Sequence, residues 1–424
     1  MNLLCILDKF PAADISDPNA INKKGGLFPV ALHALVAGGH EVTVGVIARS
    51  DAANEARLAA RIGCHYLAGR HRAGPGRWWT MARALAYGAA ERPERSRWQR
   101  VRKRMKYRRH KLAQVGGAAR VLADVEALRG RGGAFDHVIA LSSYDDAGLV
   151  AQRVAAIVGC PFSVWEHQTN YARGALSPER IRKTRAAARQ ANVTCAVSPQ
   201  LRDHIARTLG DDVPLAVVPN PIGDDFLAPP AEEGRAEVAR LAQGDFLFAA
   251  WTAWRDFKRL DVALEAFARV VADGARARFV VAGKPPDAAR RQAQRLGIAE
   301  RVIFLGNVSR ERIKALAYAC DCGVVPSDCE TFGLPVIEAM AGGNPVVATR
   351  CGGPESIIVD ERLGWIVECG DAAALADRMR RVMEHRGDYD DAFIRDWCRA
   401  HYGEPAFAKR WQALLDPSAH AARG

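Results

Sequence analysis

The chain has 424 residues, 49% of them hydrophobic, enough for two or three domains with buried cores. No uncharged apolar run reaches the roughly 18 residues that a membrane-spanning helix needs, which excludes a helical span. The formal net charge is +12, yet residues 92–111 hold eleven Lys/Arg against one acid, Glu94, so that segment alone carries +10 and the rest of the chain is close to neutral.

The opening MNLLCILDKFPAAD has no basic leader and only a short apolar run, so it predicts a first strand at Leu3–Leu7 rather than a signal peptide. Ten cysteines, several inside apolar runs (Cys5, Cys160, Cys195, Cys322), fit buried thiols in a reduced, cytoplasmic protein. Cys320 and Cys322 stand one residue apart, the wrong spacing for a zinc knuckle. After Lys23-Lys24-Gly25-Gly26 the pattern predicts a helix over Leu27–Ala37, with an apolar face at Leu27, Val30, Ala31, Ala34 and Leu35. Gly38-Gly39 ends it, and His40–Val44 opens a second strand. A glycine pair at the mouth of a first helix lets backbone N–H groups approach a ligand, which makes Gly25 and Gly26 candidate binding residues. The G-x-G-x-x-G fingerprint is absent, which argues against NAD or FAD.

Glu55–Arg61 suggests a helix and Cys64–Leu67 a short strand. Ala73–Lys111 breaks the α/β alternation: Trp78-Trp79 is followed by a long helical pattern in which Trp98, Val101, Met105 and Leu112 form one stripe among Arg and Lys. A basic amphipathic helix of this kind suits an anionic membrane surface or an acidic acceptor. A solvated helix that rests its narrow stripe on the first domain is the plainer alternative. No nucleic-acid partner is expected, because no recognisable nucleic-acid module surrounds the segment. The expected location is the cytoplasm, with peripheral contact to the inner face of the membrane through 92–111.

Phe135–Ser142 predicts a buried strand and Ala147–Val158 a helix. Pro161–Trp165 predicts a strand that delivers Glu166-His167-Gln168 to its carboxyl end, where ligands of open α/β sheets sit. There His167 is placed to donate to a sugar hydroxyl or to developing charge, or to be satisfied by loop backbone. Ala191–Val197 is the next strand, Ser198 caps a helix at Pro199–Leu209, and Leu215–Val218 ends the series. Pro229–Gly244 reads as a polar, hinge-like connector.

Asp245–Trp251 opens a second sheet. Its loop carries Arg255, with Lys258 at the expected start of a helix; two cations three apart at a strand-to-helix turn suit a diphosphate. Ala277–Ala282 and Val302–Leu305 are further strands; Gly306-Asn307-Val308 turns into a helix capped by Ser309. The most informative stretch is DCGVVPSDCETFGLPVIEAMAGGNPVVATRCGGPES at Asp321–Ser356. It reads as strand, polar loop, short helix from Leu334 with Pro335 in the first turn, and a second buried strand at Pro345–Thr349. The helix N-terminus aims free N–H groups at whatever lies before Gly333, and Glu330 and Glu338 bracket that anion site. Phosphates and hydroxyls on one ligand, as in a nucleotide sugar, match this pattern. Gly364–Val367, Ala372–His385 and Phe393–Leu415 complete the series, and Asp388-Tyr389-Asp390 reads as a solvent loop rather than a metal motif.

ETFGLPVIEAMAGGNPVVAT followed by GGPES resembles the E-x7-E signature of retaining GT-B glycosyltransferases, the large group often termed family 4. The opening strand-loop-GG-helix and VVPNPIGDDF are similar to the same family. The resemblance implies an α/β protein of two Rossmann-like domains facing across a cleft, with a C-terminal helix crossing back to the first. It implies an acceptor-binding domain at 1–222 with return helices in 400–424, and a donor-binding domain at 223–399. It implies a nucleoside-diphosphate sugar donor, a glycan or lipid-linked acceptor in polysaccharide or lipopolysaccharide synthesis, and no metal or cofactor. By position, Gly25, Gly26, Arg255, Lys258, Val308, Glu330, Phe332, Gly333, Leu334 and Glu338 would bind the donor. His167 and Glu330 would act at the sugar, Glu338 on the ribose and Val308 on the base. A sugar-nucleotide epimerase or phosphorylase-like enzyme of the same architecture stays open, as does a basic membrane-surface protein without catalysis.

Overall fold

The computed structural model describes residues 1–7, 27–47, 59, 63–67, 115–130, 132–142, 146–272 and 274–416. Gly25, Gly26, Trp78-Trp79, segment 92–111 and most of the helix expected at 55–61 lie outside them.

Thirteen strands build two sheets among the described residues. The first contains β1 (Asn2–Leu7), β2 (Glu41–Val46), β3 (His65–Tyr66), β4 (His137–Ala140), β5 (Phe162–Glu166), β6 (Val193–Ala196) and β7 (Leu215–Val217), in the order β3-β2-β1-β4-β5-β6-β7. The second contains β8 (Phe246–Trp251), β9 (Ala277–Ala282), β10 (Val302–Gly306), β11 (Cys322–Val325), β12 (Val346–Thr349) and β13 (Gly364–Val367), in the order β10-β9-β8-β11-β12-β13. Every pairing is parallel.

Parallel strands covered on both faces read as continuous apolar runs, and the core shows why. Leu3, Cys5 and Leu7 of β1 point into one cluster while Leu4 and Ile6 point into another. In β8, Leu247, Ala249 and Trp251 join the first of these and Phe248 and Ala250 a third. One cluster therefore runs through both units, with a separate core on the outer face of each sheet.

The C-terminal helices seal the two units together. Helix Asp391–Tyr402 packs on helix Leu334–Ala341, and helix Glu404–Leu415 packs on helix Leu27–Ala37. The crossing is at Gly403, which pairs with Ile222 in the linker; Ile222 donates to the Tyr402 carbonyl at 2.7 Å. Glu404, 6% exposed, accepts from the Asp224 N–H at 3.2 Å and pairs with His33. The return to the first unit is thus made by helix Glu404–Leu415.

The polar connector 229–244 is largely helical. Glu232–Ala239 is a helix, extended by a 3-10 turn at Arg240–Ala242. Glu232 and Glu233 suit its first turn, Val238 is buried, and Glu237 pairs with Arg312 of helix Arg310–Ala319. Two further helices leave no apolar stripe in the sequence. Pro178–Ala188 buries only Ala187 and Ala188, and Asp287–Arg295 only Ala289 and Ala293. The start of the first was nonetheless signalled by Ser177, whose hydroxyl accepts from the Arg180 N–H at 3.2 Å.

Trp411 is fully buried in the return helix, near Phe407. Trp411→Ala is expected to cost about 3–5 kcal/mol of stability, as removal of a large buried ring does. Urea denaturation checks this; a loss below about 1 kcal/mol would mean that the return helix does not hold the units together.

Candidate functional site

Each sheet reverses its strand order once, between β1 and β4 and between β8 and β11. Loops that leave the strands flanking a reversal diverge around a crevice at their carboxyl ends. In the second sheet these are the loops after Trp251 and after Val325, and they carry Lys258 and Glu330.

Lys258 Nζ lies 2.5 Å from Glu330 Oε1, the two side chains being 12% and 11% exposed. Ser327 donates its hydroxyl to the same oxygen at 3.1 Å. Arg259, in the left-handed region at φ +49°, binds Asp261 in the first turn of the helix that follows and Asp328 of the other loop, each at 3.0 Å. The Asp328 N–H donates to the Phe257 carbonyl at 2.8 Å. These bonds fasten one loop to the other. They also shift the expected helix start: Lys258 sits in a 3-10 turn, Asp256–Lys258, and the helix begins at Leu260 after the left-handed Arg259. Arg255 precedes that turn with an exposed side chain that meets no partner among the described residues.

The loop after β11 ends at Gly333, φ +106°, which caps helix Leu334–Ala341. Gly353 of the GGPES segment lies against it so closely that a Cβ there would stand 2.2 Å from the Phe332 carbonyl oxygen. Only glycine fits at that approach. The Phe332 ring is 2% exposed and meets Tyr402 edge-on at 5.6 Å. It is therefore a core contact, and only its main chain belongs to the loop. Leu334 opens the helix half-buried.

Glu338, 6% exposed, lies on the same helix beneath this loop. Trp251, the last residue of β8, donates its indole N–H to Glu338 Oε2 at 2.7 Å, and Arg310 Nη1 stands 3.8 Å from Oε1. Burial pushes the carboxyl above its ordinary range, while Arg310 and the Trp251 N–H pull it down. Val308 is half-buried in the turn after β10, which Lys284 tethers by its N–H to Asn307 Oδ1 at 3.0 Å.

In the first unit β5 ends at Glu166, whose Oε1 accepts from the N–H groups of His167 at 2.8 Å and Gln168 at 2.9 Å. This fixes the turn that carries His167. The imidazole meets Trp165 edge-on at 4.3 Å and Phe28 at 5.6 Å. Phe28 stands in the first turn of helix Leu27–Ala37, so His167 lies close to the start of that helix. The carboxyl-end loops of the two sheets meet: Ser198, after β6, donates to the Gly352 carbonyl, after β12, at 3.2 Å. Trp251, Arg310 and Ser327 escaped the sequence reading. A tryptophan at the carboxyl end of a buried strand was the available signal, since a buried indole N–H needs an acceptor.

Residues 237–395, which carry Lys258, Glu330 and Glu338, match the family model for Glycosyl transferases group 1. A D-inositol 3-phosphate glycosyltransferase from Mycolicibacterium smegmatis is 32% identical over 198 residues, 45% of this chain and 44% of that protein. An N-acetyl-alpha-D-glucosaminyl L-malate synthase from Bacillus anthracis is 31% identical over 133 residues, 31% of this chain and 34% of that protein. The chain thus spans less than half the length of these curated relatives in the matched region. Among solved structures, Anabaena Alr3699/HepE in complex with UDP superposes with a TM-score of 0.70 at 17% identity, covering 98% of this chain and 99% of the other. Sucrose-phosphate synthase from Thermosynechococcus elongatus gives 0.69 at 19% identity, covering both chains fully at 100%. The fold is therefore GT-B: two parallel-sheet α/β domains facing across a cleft.

An acid whose folded value lies above its unfolded one stabilises the fold fully at low pH and less as pH rises. For Glu338 that loss begins near pH 4.5. Glu338→Gln removes the ionisation and keeps an acceptor for Trp251. The variant should therefore gain stability relative to wild type between pH 4.5 and about pH 7, with little difference at the lower value. Paired urea titrations decide the matter, and an equal difference at both values would rule out the burial effect.

Proposed function

We propose that the protein is a retaining glycosyltransferase. It moves a sugar from a nucleoside-diphosphate sugar to a hydroxyl of a glycan or lipid-linked acceptor, in cell-surface polysaccharide or lipopolysaccharide assembly. The observation that carries this reading is the Lys258–Glu330 pair at the sheet reversal, in front of the helix N-terminus at Gly333 with Glu338 beneath it. The names of the relatives support sugar transfer, and the Anabaena neighbour bound to UDP and to UDP-glucose supports a nucleotide-sugar donor.

In this reading residues 1–222, with the return helix Glu404–Leu415, bind the acceptor, and residues 223–399 bind the donor. Donor binding divides the ion pair. The diphosphate takes the Lys258 ammonium, and Glu330 is released to accept hydroxyls of the sugar and orient it. Arg255 and the N–H groups at Gly333 and Leu334 add to the stabilisation of charge that grows on the leaving diphosphate. Glu338 accepts the ribose hydroxyls, Val308 packs on the base, and the Phe332 main chain lines the loop. His167, with Gly25 and Gly26, faces the sugar from the first unit. The acceptor oxygen bonds the anomeric carbon on the face from which the diphosphate departs, and a diphosphate oxygen takes the acceptor proton. No metal or cofactor enters the scheme. Segment 92–111 rests on anionic lipid at the cytoplasmic face of the membrane; among the described residues no helix is long and apolar enough to cross one.

Lys258→Ala and Glu338→Ala are each expected to lower sugar transfer at least about 100-fold while circular dichroism reports an intact fold. The assay is transfer or donor hydrolysis with UDP-, GDP- and ADP-sugars. Wild-type rates in either variant with every donor would sink the site assignment. Replacing the Arg and Lys of 92–111 by Gln should reduce co-sedimentation with anionic vesicles, and unchanged sedimentation would remove the membrane from the proposal.

A further inference from the structure

The loop after β5 carries an arginine that the donor site described above does not use. The turn is built locally. The Arg173 N–H donates to the Thr169 carbonyl at 3.1 Å and the Ala175 N–H to the Asn170 carbonyl at 2.9 Å. Gly174 takes the left-handed conformation at φ +57°, and Tyr171, 5% exposed, anchors the turn in the core. The exposed Arg173 side chain is thereby held out toward the other unit.

Its guanidinium lies over the ring of Phe257, 4.8 Å from the centroid. Phe257 belongs to the second unit, one residue before Lys258, and Lys258 Nζ stands 5.2 Å from the same centroid. Two cations from opposite sides of the cleft thus share one aromatic ring. Lys258 has a carboxylate partner in Glu330; Arg173 has none among the described residues. Arg173 and Lys258 both act electrostatically on Cys329, the neighbour of Glu330, so both charges bear on the same loop. Like charges repel at this range, and a ring shared with Lys258 holds Arg173 only weakly. Arg255, nearby in sequence, likewise has no side-chain partner among the described residues.

We propose that Arg173 binds the diphosphate of the donor from the acceptor-side unit, with Phe257 holding the guanidinium in place until the donor arrives. A planar guanidinium can take two phosphate oxygens at once. Arg173 then ties the first unit to a ligand seated on the second, which makes cleft closure depend on the second phosphate. The inference rests on the nucleotide-sugar reading above.

The test is equilibrium binding of UDP, GDP and ADP, and of the matching monophosphates, to wild type, Arg173→Ala, Arg173→Lys and Lys258→Ala. Arg173→Ala should weaken the preferred diphosphate about tenfold and its monophosphate by less than about twofold. Arg173→Lys should restore part of the loss, and thermal unfolding of both variants should match wild type because the side chain is exposed. Equal losses for diphosphate and monophosphate would mean that Arg173 only latches the two units, which overturns the phosphate contact. Undiminished diphosphate binding by Arg173→Ala, beside a loss in Lys258→Ala, overturns the proposal and leaves the donor site standing. If wild type binds none of the six nucleotides, both fall.

Discussion

Every strand pairing in both sheets is parallel, and the position of the site follows from that constraint. Parallel strands need crossovers, so all the carboxyl ends of a sheet open on one edge and all its turn-forming loops gather there. Where the order reverses, successive crossovers go to opposite faces and the loops part. Lys258 and Glu330, 72 residues apart, meet because β8 and β11 are neighbours at that point. The first sheet repeats the arrangement with β1 and β4, and β5 beside them brings His167 to the same edge. Contacts such as Ser198 to Gly352 set the two edges face to face.

The core that holds the edges opposed is shared. Phe226, Tyr402 and Trp411 belong to the same buried cluster as Leu3 in β1 and Leu247 in β8. The linker at Ile222 and the crossing at Gly403 lie side by side. The chain therefore passes between the units twice at one place, and Glu404 binds both His33 and the Asp224 N–H there. Two adjacent crossings at one place suit a cleft that must admit a ligand.

The strands were legible because burial on both faces makes them apolar throughout, and the turn at Gly333 because glycines, Pro335 and two glutamates occur there at meaningful spacings. The helices at Pro178–Ala188 and Asp287–Arg295 were not, since each meets the core through two alanines and shows no apolar period. The same limit applies to the connector helix, whose one buried residue is Val238. Side-chain roles that depend on distant partners were beyond the sequence. Nothing local shows that Trp251 reaches Glu338, that Arg259 staples two loops, or that Arg173 meets Phe257. Phe332 was placed in the site by its neighbours in the motif, whereas packing against a helix some 70 residues later takes its ring into the core.

The two glutamates differ in how much of their bonding capacity the protein itself has used. Glu330 accepts from Lys258 and Ser327 on a single oxygen, and the close ammonium compensates its partial burial. Glu338 is more deeply buried and more poorly matched: one indole N–H on Oε2 and a guanidinium 3.8 Å from Oε1, too long for a hydrogen bond. If Glu338 served only to satisfy Trp251, glutamine would do so without the desolvation of a charge. A carboxylate retained there has acceptor sites to spare, four lone pairs against one donor in hydrogen-bond range. Ligand hydroxyls that donate to those sites would stabilise the ionised form and lower the raised pKa, so binding and burial act on Glu338 in opposite directions. Of the two glutamates, the one that the folded protein accommodates less comfortably thus has more to gain from a hydroxyl-bearing ligand.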